Sequence, residues 1–112
     1  MQQIESILLT ILTKITDQTD VIWAGYNSPA ELRKEIELNI EQLKAGNEEA
    51  LQKFNIMFAP TSVFQELAQS NGWHDEYMKL AREFDERYEV VKTRSRIKKL
   101  GKRILGYGRE DN

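Results

Sequence analysis

The chain has 112 residues, of which 40% are hydrophobic and 30% are charged, and its formal net charge at pH 7 is −2. This length and composition are typical of a single globular domain, here residues 1–112, and they exclude a disordered chain. Because the sequence contains no cysteine, disulfides, thiolate nucleophiles, zinc ribbons and iron–sulfur ligation are excluded, and we expect a cytoplasmic protein.

The first element is a predicted amphipathic helix over about residues 2–16. Its many β-branched residues leave a strand as the less favoured alternative. Glu5 interrupts the apolar run, so we expect neither a signal peptide nor a membrane span here. A connector follows, and we expect Trp23 to anchor it in the core. The apolar face of the helix consists of Ile4, Ile7, Leu8, Ile11 and Ile15, widened by Leu9 and Leu12.

A capping box predicts the start of the second helix. Ser28 is the expected N-cap, Pro29 follows at the first helical position, and Glu31 is placed to accept a hydrogen bond from the backbone of the cap. This helix is predicted over about residues 29–45 and ends before Gly46. Asn47 then caps a third helix over about residues 48–58.

Ser62 and Gln65 form a second predicted capping box, before a short helix over about residues 62–70. Proline at position 60 stops the preceding helix, because the residue before a proline is disfavoured in the α region. Gly72 is expected to end the short helix in the left-handed conformation, and Asn71 is expected to cap the helix that follows.

The longest predicted helix covers about residues 73–93 and carries aromatic residues along its apolar face. The fold class is therefore all-α, a compact bundle of about five to six helices with this long helix near the C-terminus. The side chains expected to be buried are Trp73, Leu80, Phe84 and Tyr88, with Phe54 and Phe58 nearby.

The basic C-terminal segment, residues 92–112, differs from the rest of the chain in charge. It contains 8 cations and 2 anions, whereas residues 1–91 contain 8 cations and 16 anions. The two parts therefore carry formal charges of +6 and −8, which sum to the net −2. Apolar residues still recur at helical spacing in this segment, so the long helix either continues through it or breaks near Ser95 or Gly101.

No residue pattern in the chain is typical of a catalytic or metal site. His74 is the only histidine, and a shared metal needs a further His or Cys, so we interpret it as a structural residue at a helix start. Acidic pairs such as Glu48 and Glu49 fall on predicted solvent faces near helix starts, where carboxylates are expected. We predict that the chain is not an enzyme and uses no cofactor or metal.

Two stretches support a family resemblance: WAGYNSPAELRKEIELNIEQLKAGNEEALQKF and FAPTSVFQELAQSNGWHDEYMKLAREFDE. They resemble small helical bacterial proteins of the immunity type, which are encoded beside toxin genes, including those of contact-dependent growth inhibition. The resemblance covers about residues 20–88 and rests on residues that build the fold, and the basic segment departs from it. It implies a stoichiometric inhibitor of a toxin domain, frequently a nuclease, and transfers no binding residue.

The first hypothesis is therefore an immunity protein that covers the active site of a basic nuclease with an acidic surface. The alternative is a nucleic-acid-associated or regulatory helical protein that acts through its basic segment. A gene for a large secreted protein with a basic C-terminal domain, immediately upstream, favours the first hypothesis. The predicted partner contacts are Glu31, Glu35, Glu37 and Glu41 with Asp75, Glu76 and Glu83, and the alternative nucleic-acid contacts are Lys98, Lys99, Lys102 and Arg103.

Overall fold

Five α-helices form the part of the chain that the computed structural model describes, which is the backbone of residues 2–105 and the side chains of residues 2–101. No strand occurs among these residues, so the predicted all-α class is confirmed and the strand alternative for the first element is wrong. The glycine-rich stretch 106–108 and the last four residues, for which the sequence predicts a frayed end, lie outside the described residues. The helices are α1 (Gln2–Thr13), α2 (Pro29–Lys44), α3 (Glu48–Met57), α4 (Val63–Asn71) and α5 (His74–Leu105).

One hydrophobic core joins the helices. α1 packs against α2 and α5, α3 packs against α2, and α4 packs against α5. The predicted apolar face of α1 is buried except for Leu9, which points to solvent. α2 buries the residues that step along its length by three or four positions, as its sequence predicts, namely Leu32, Ile36, Ile40 and Leu43.

Phe58, at the C-terminus of α3, is the centre of an aromatic cluster within this core. Its ring centroid lies 4.2 Å from that of Phe84 in a stacked arrangement and 4.9 Å from that of Phe64 in an edge-on arrangement. Tyr77 stacks on the same ring at 6.0 Å. These aromatic contacts fix α3, α4 and α5 against one another, because such pairs contribute beyond the area that they bury.

Two side chains that were expected in the core are only partly buried. Trp73 precedes the first residue of α5, and its ring covers the edge of the cluster at 6.3 Å from Tyr77. Tyr88 stacks on Phe84 with 5.8 Å between ring centroids, and the Lys92 ammonium lies over the Tyr88 ring, 5.1 Å from its centroid. The fully buried part of the aromatic seam therefore ends at Phe84, and α5 continues beyond the core.

α1 ends at Thr13, three residues earlier than predicted. The chain tightens there, since the Lys14 amide donates to the Ile11 carbonyl at 2.9 Å instead of to a residue four positions back. The guanidinium of Arg33 donates to the carbonyls of Leu12 at 2.8 Å and Ile15 at 2.7 Å. A cation from α2 thus caps the C-terminus of α1, where carbonyl groups and the helix dipole favour positive charge.

The first predicted capping box forms in part, and the second does not form as a reciprocal pair. The Ser28 hydroxyl accepts from the Glu31 amide at 3.1 Å, as predicted, but the Glu31 carboxylate accepts from Asn27 at 3.0 Å instead of from the cap residue. At the start of α4, Ser62 makes no side-chain cap, and the Gln65 side chain accepts from the Thr61 amide at 2.8 Å. The Glu31 and Gln65 side chains therefore stabilise the turns that lead into α2 and α4.

The junction between α4 and α5 confirms the role of Gly72 and corrects that of Asn71. Gly72 adopts a φ of 83° and ends α4 in the left-handed conformation that favours glycine. The Asn71 side chain does not cap α5. It bonds instead to the backbone of Asp20, more than fifty residues earlier in the chain.

α5 runs without interruption through Ser95 and Gly101 to Leu105. The basic segment is therefore helical as far as the structure describes it. The 32 residues of α5 correspond to a length of about 48 Å at 1.5 Å per residue. This length accounts for most of the long dimension of the molecule, which measures 53 × 24 × 20 Å.

Candidate functional site

The acidic residues predicted on α2 all lie at the surface, and each has a partner nearby in the chain. The Glu35 carboxylate accepts from the Tyr26 hydroxyl at 2.7 Å, and Glu31 accepts from the Asn27 backbone. Glu37 lies 3.6 Å from the Arg33 guanidinium, and Glu41 lies 3.6 Å from the Lys44 ammonium. Exposed ion pairs of this kind are weak, so these carboxylates remain accessible to a partner.

The acidic residues predicted on α5 lie in two places. Glu76 forms an ion pair with Lys14, just beyond the end of α1, and Asp75 is exposed beside it. Glu83 lies about two turns further along α5, beside a groove of about 330 Å³ between α1 and α5. The groove is lined by Gln3, Ser6, Ile7, Thr10, Leu80, Glu83, Glu86 and Arg87.

One acidic residue of α2 and one of α5 lie close to the C-terminus of α1. Arg33 pairs with Glu37 and also donates to two backbone carbonyls at this end of α1. Lys14, at the same end, pairs with Glu76. Glu83 faces the opposite half of α1, because the groove beside it includes residues of the first turns of that helix. Glu37 and Glu76 therefore form an acidic surface at the end of α1, and Glu83 lies apart from it.

Between α1 and α2 the chain forms a connector that we call the Trp23 loop, residues 14–28. Asn71 holds it on one side: its Oδ1 accepts from the Asp20 amide at 2.8 Å, and its Nδ2 donates to the Asp20 carbonyl at 2.8 Å. The Asp20 carboxylate in turn accepts from the Ile22 amide at 3.1 Å. On the other side the Tyr26 hydroxyl donates to Glu35 of α2. The loop is thus attached to α2 and α4.

The Trp23 loop places Ile22 and Trp23 in solvent, with 75% and 72% of their surface exposed. This corrects the expectation that Trp23 anchors the connector in the core. Val21 is the buried residue of this apolar stretch, and the Tyr26 amide donates back to its carbonyl at 3.1 Å. The inner side of the resulting turn is therefore occupied by Val21, and Trp23 points outward.

Burial and the contact with Glu35 raise the pKa of Tyr26 well above the usual range of a tyrosine, with burial the larger cause. The hydroxyl is protonated at physiological pH, and the raised pKa keeps it a hydrogen-bond donor to the carboxylate well into the alkaline range. This contact holds the end of the Trp23 loop on α2. Tyr26 was not singled out in the sequence, because its partner becomes apparent only once the loop is folded.

The cations of the alternative hypothesis lie on the distal part of α5. Lys98 and Lys99 are exposed, and the Lys99 ammonium lies 4.0 Å from the Glu48 carboxylate. The side chains of Lys102 and Arg103 lie outside the described residues. Because both members of the Lys99 pair are largely exposed, water and salt screen it, and Lys99 remains available to phosphate.

His74 lies at the first position of α5, with its Nδ1 atom 4.0 Å from the Asp75 carboxylate. Within residues 2–101, no group of three or more histidine, cysteine, aspartate and glutamate side chains is arranged to hold a metal ion. Among the described helices, none combines the length and apolar character that crossing a membrane requires.

Comparisons with protein-family models, with curated proteins and with solved structures found no match to this chain. The resemblance of residues 20–88 to immunity-type proteins therefore stays a prediction.

Proposed function

We propose that this chain is a cytoplasmic immunity protein that binds and neutralises a toxin domain encoded beside it, with a basic nuclease as the target. The observation that supports the proposal is the exposed acidic surface at the end of α1, where Glu37 of α2 and Glu76 of α5 are held by cations of that junction. The acidic excess of residues 1–91 adds to it, since 16 anions face 8 cations there.

Inhibition by this surface requires no turnover. A nuclease binds phosphate groups with cations placed along its cleft, and the carboxylates of a rigid helical protein occupy the same positions when it docks. Complementary charge also raises the association rate, which matters for a protein that must reach a toxin before the toxin reaches nucleic acid. Each inhibitor molecule neutralises one toxin domain, so protection depends on affinity and abundance.

The test is a charge reversal on α2, Glu37→Lys with Glu41→Lys, with Glu35 left in place because it holds the Trp23 loop. The matched control is Asp85→Lys with Glu89→Lys, which changes the net charge equally at another pair of exposed positions four residues apart on α5. We expect the α2 variant to associate about tenfold more slowly with the purified C-terminal domain of the upstream gene product at low salt. The control should differ little, and the gap should narrow as salt rises.

Equal association rates for the two variants at low salt would reject the acidic surface on α2 as the contact. Absence of any binding by the unmodified protein, together with no protection of cells that express the toxin domain, would reject the proposed function itself.

A second candidate function is nucleic-acid binding by the distal part of α5. The specific observation is that residues 92–101 carry five cations and no anion on a helix whose side chains are mostly exposed. This candidate predicts binding to a generic double-stranded RNA whose affinity falls steeply with salt. Lys98→Glu with Lys99→Glu should abolish that binding, whereas the α2 charge reversal should not weaken it.

A further inference from the structure

Ile22 and Trp23 form an apolar projection on an otherwise polar loop. Both lie at the tip of the Trp23 loop with about three quarters of their surface in solvent. The other residues of the loop that carry large apolar side chains, Ile15 and Val21, are buried. A tryptophan held in water gains nothing for the fold, but aromatic residues of this kind supply much of the affinity when they enter a pocket of a partner.

The loop that carries this projection is ordered before any partner arrives. Two hydrogen bonds of the Asn71 side chain, with the amide and the carbonyl of Asp20, attach the loop to α4, each at 2.8 Å. A third, to the Leu67 carbonyl at 2.8 Å, orients the Asn71 side chain within α4. Arg33 fixes its start and the Tyr26–Glu35 bond fixes its end. Docking therefore loses little conformational entropy in the loop, which is a main cost of binding through flexible segments.

The charge around the projection selects the partner. Residues 15–32 include three anions, Asp17, Asp20 and Glu31, and no cation. The cations at the borders of this stretch are already engaged, Lys14 with Glu76 and Arg33 with two backbone carbonyls. A nucleic acid would be repelled by this environment, whereas a protein surface rich in lysine and arginine would be attracted to it.

We propose that Ile22 and Trp23 are the anchor with which this chain docks on its partner, a basic protein whose apolar pocket is bordered by cations. The inference rests on the proposed function and names its central contact. Trp23 fills the pocket, Ile22 covers its edge, and the acidic residues around them pair with the cations of the rim. The carboxylates of α2 then steer the encounter, while the apolar pair slows dissociation.

The experiment compares Trp23→Ala and Ile22→Ala with Ile56→Ala. Ile56 is a matched control, since it lies on α3 and is 65% exposed. Binding is measured by surface plasmon resonance to the purified C-terminal domain of the upstream gene product. We expect Trp23→Ala to weaken binding at least about 30-fold through faster dissociation, with a smaller loss for Ile22→Ala. Ile56→Ala should bind like the unmodified protein, and all three should keep its melting temperature.

A fluorescence measurement reports on the same contact directly. The chain has two tryptophans, so Trp73→Phe leaves Trp23 as the single indole. Its emission should be that of a solvent-exposed indole in the free protein. On addition of the toxin domain the emission should shift to shorter wavelength and become protected from acrylamide quenching.

The possible outcomes distinguish a failure of the proposed anchor from a failure of the proposed function. If the unmodified protein binds and Trp23→Ala binds equally well, the anchor is rejected and the proposed function stands. If the unmodified protein does not bind the toxin domain, the proposed function fails and the anchor fails with it. An emission shift that depends on the concentration of this chain alone would assign the projection to a second copy, which also overturns the proposal.

Discussion

The hydroxyl of Tyr77 is buried inside the aromatic cluster and donates to the Phe58 carbonyl at 3.2 Å. Burial raises its pKa from the usual 10 to about 12, and the nearby charge of Asp85 adds to the shift. The unfolded chain therefore loses this proton near pH 10, whereas the folded chain keeps it until about pH 12. Between these values the unfolded state binds fewer protons, so the free energy of unfolding falls as pH rises.

Tyr77→Phe tests this linkage. At pH 7 the variant should lose about 1 kcal/mol, because the Phe58 carbonyl is left without its donor. Above pH 10 the unmodified protein should lose up to about 1.4 kcal/mol per pH unit from this residue, and the variant should lack that contribution. Urea denaturation between pH 7 and pH 11 measures both effects. Equal slopes of the two proteins above pH 10 would contradict the linkage, since Tyr26 remains in both.

Helical spacing predicts the exposure of some side chains but not of others. Exposure of the acidic residues of α2 follows from helical spacing, because the buried positions Leu32 and Ile36 determine which face is left for solvent. Exposure of Trp23 does not follow, since hydrophobicity alone assigns a tryptophan to the core. The side chains that position it, Arg33 and Asn71, act from distant parts of the sequence. No local pattern contains that information.

The helices themselves were largely predictable. Starts at Pro29 and near Glu48 and the glycine that ends α4 agree with the structure, because caps and turn residues act within a few positions of one another. The apolar spacing predicts an end of α1 three residues too late, since Ile15 continues this spacing and is buried. Arg33, which is distant in the sequence, caps this end by donating to the Leu12 and Ile15 carbonyls.

The Trp23 loop and α5 also differ in how each is held. The loop has no regular backbone pattern and relies on side chains that bond to its backbone groups, which satisfies donors and acceptors that a helix would satisfy internally. The distal part of α5 relies on helix propagation, since extending an existing helix is far easier than starting one. Side-chain hydrogen bonds therefore fix the proposed anchor, and backbone hydrogen bonds support the basic residues.

The molecule as a whole is elongated and separates its charge. Its radius of gyration is 16.4 Å, compared with about 13 Å for a compact domain of this length. α5 causes the difference, because it extends beyond the core and carries the basic residues with it. The acidic surface at the end of α1 lies near the start of α5, as the contact between Lys14 and Glu76 shows, so most of the length of α5 separates the two charged regions.

Deletion of residues 97–112 tests whether the basic end of α5 contributes to folding or only to recognition. The side chains of residues 97–100 are exposed, and the closest ion pair, Lys99 with Glu48, is solvent-accessible on both sides. The free energy of unfolding should therefore change by less than about 1 kcal/mol, while circular dichroism should show the loss of the deleted helical turns. Deletion of residues 88–112 is the control, because it also removes Tyr88 and Val91, which pack against the core, and it should cost more than about 2 kcal/mol.

The shorter deletion should keep full affinity for the toxin domain if the acidic surface and the Trp23 loop make the contact. A large loss of stability would instead mean that the basic end docks on the bundle, and a loss of toxin binding at unchanged stability would place the contact on the basic end of α5.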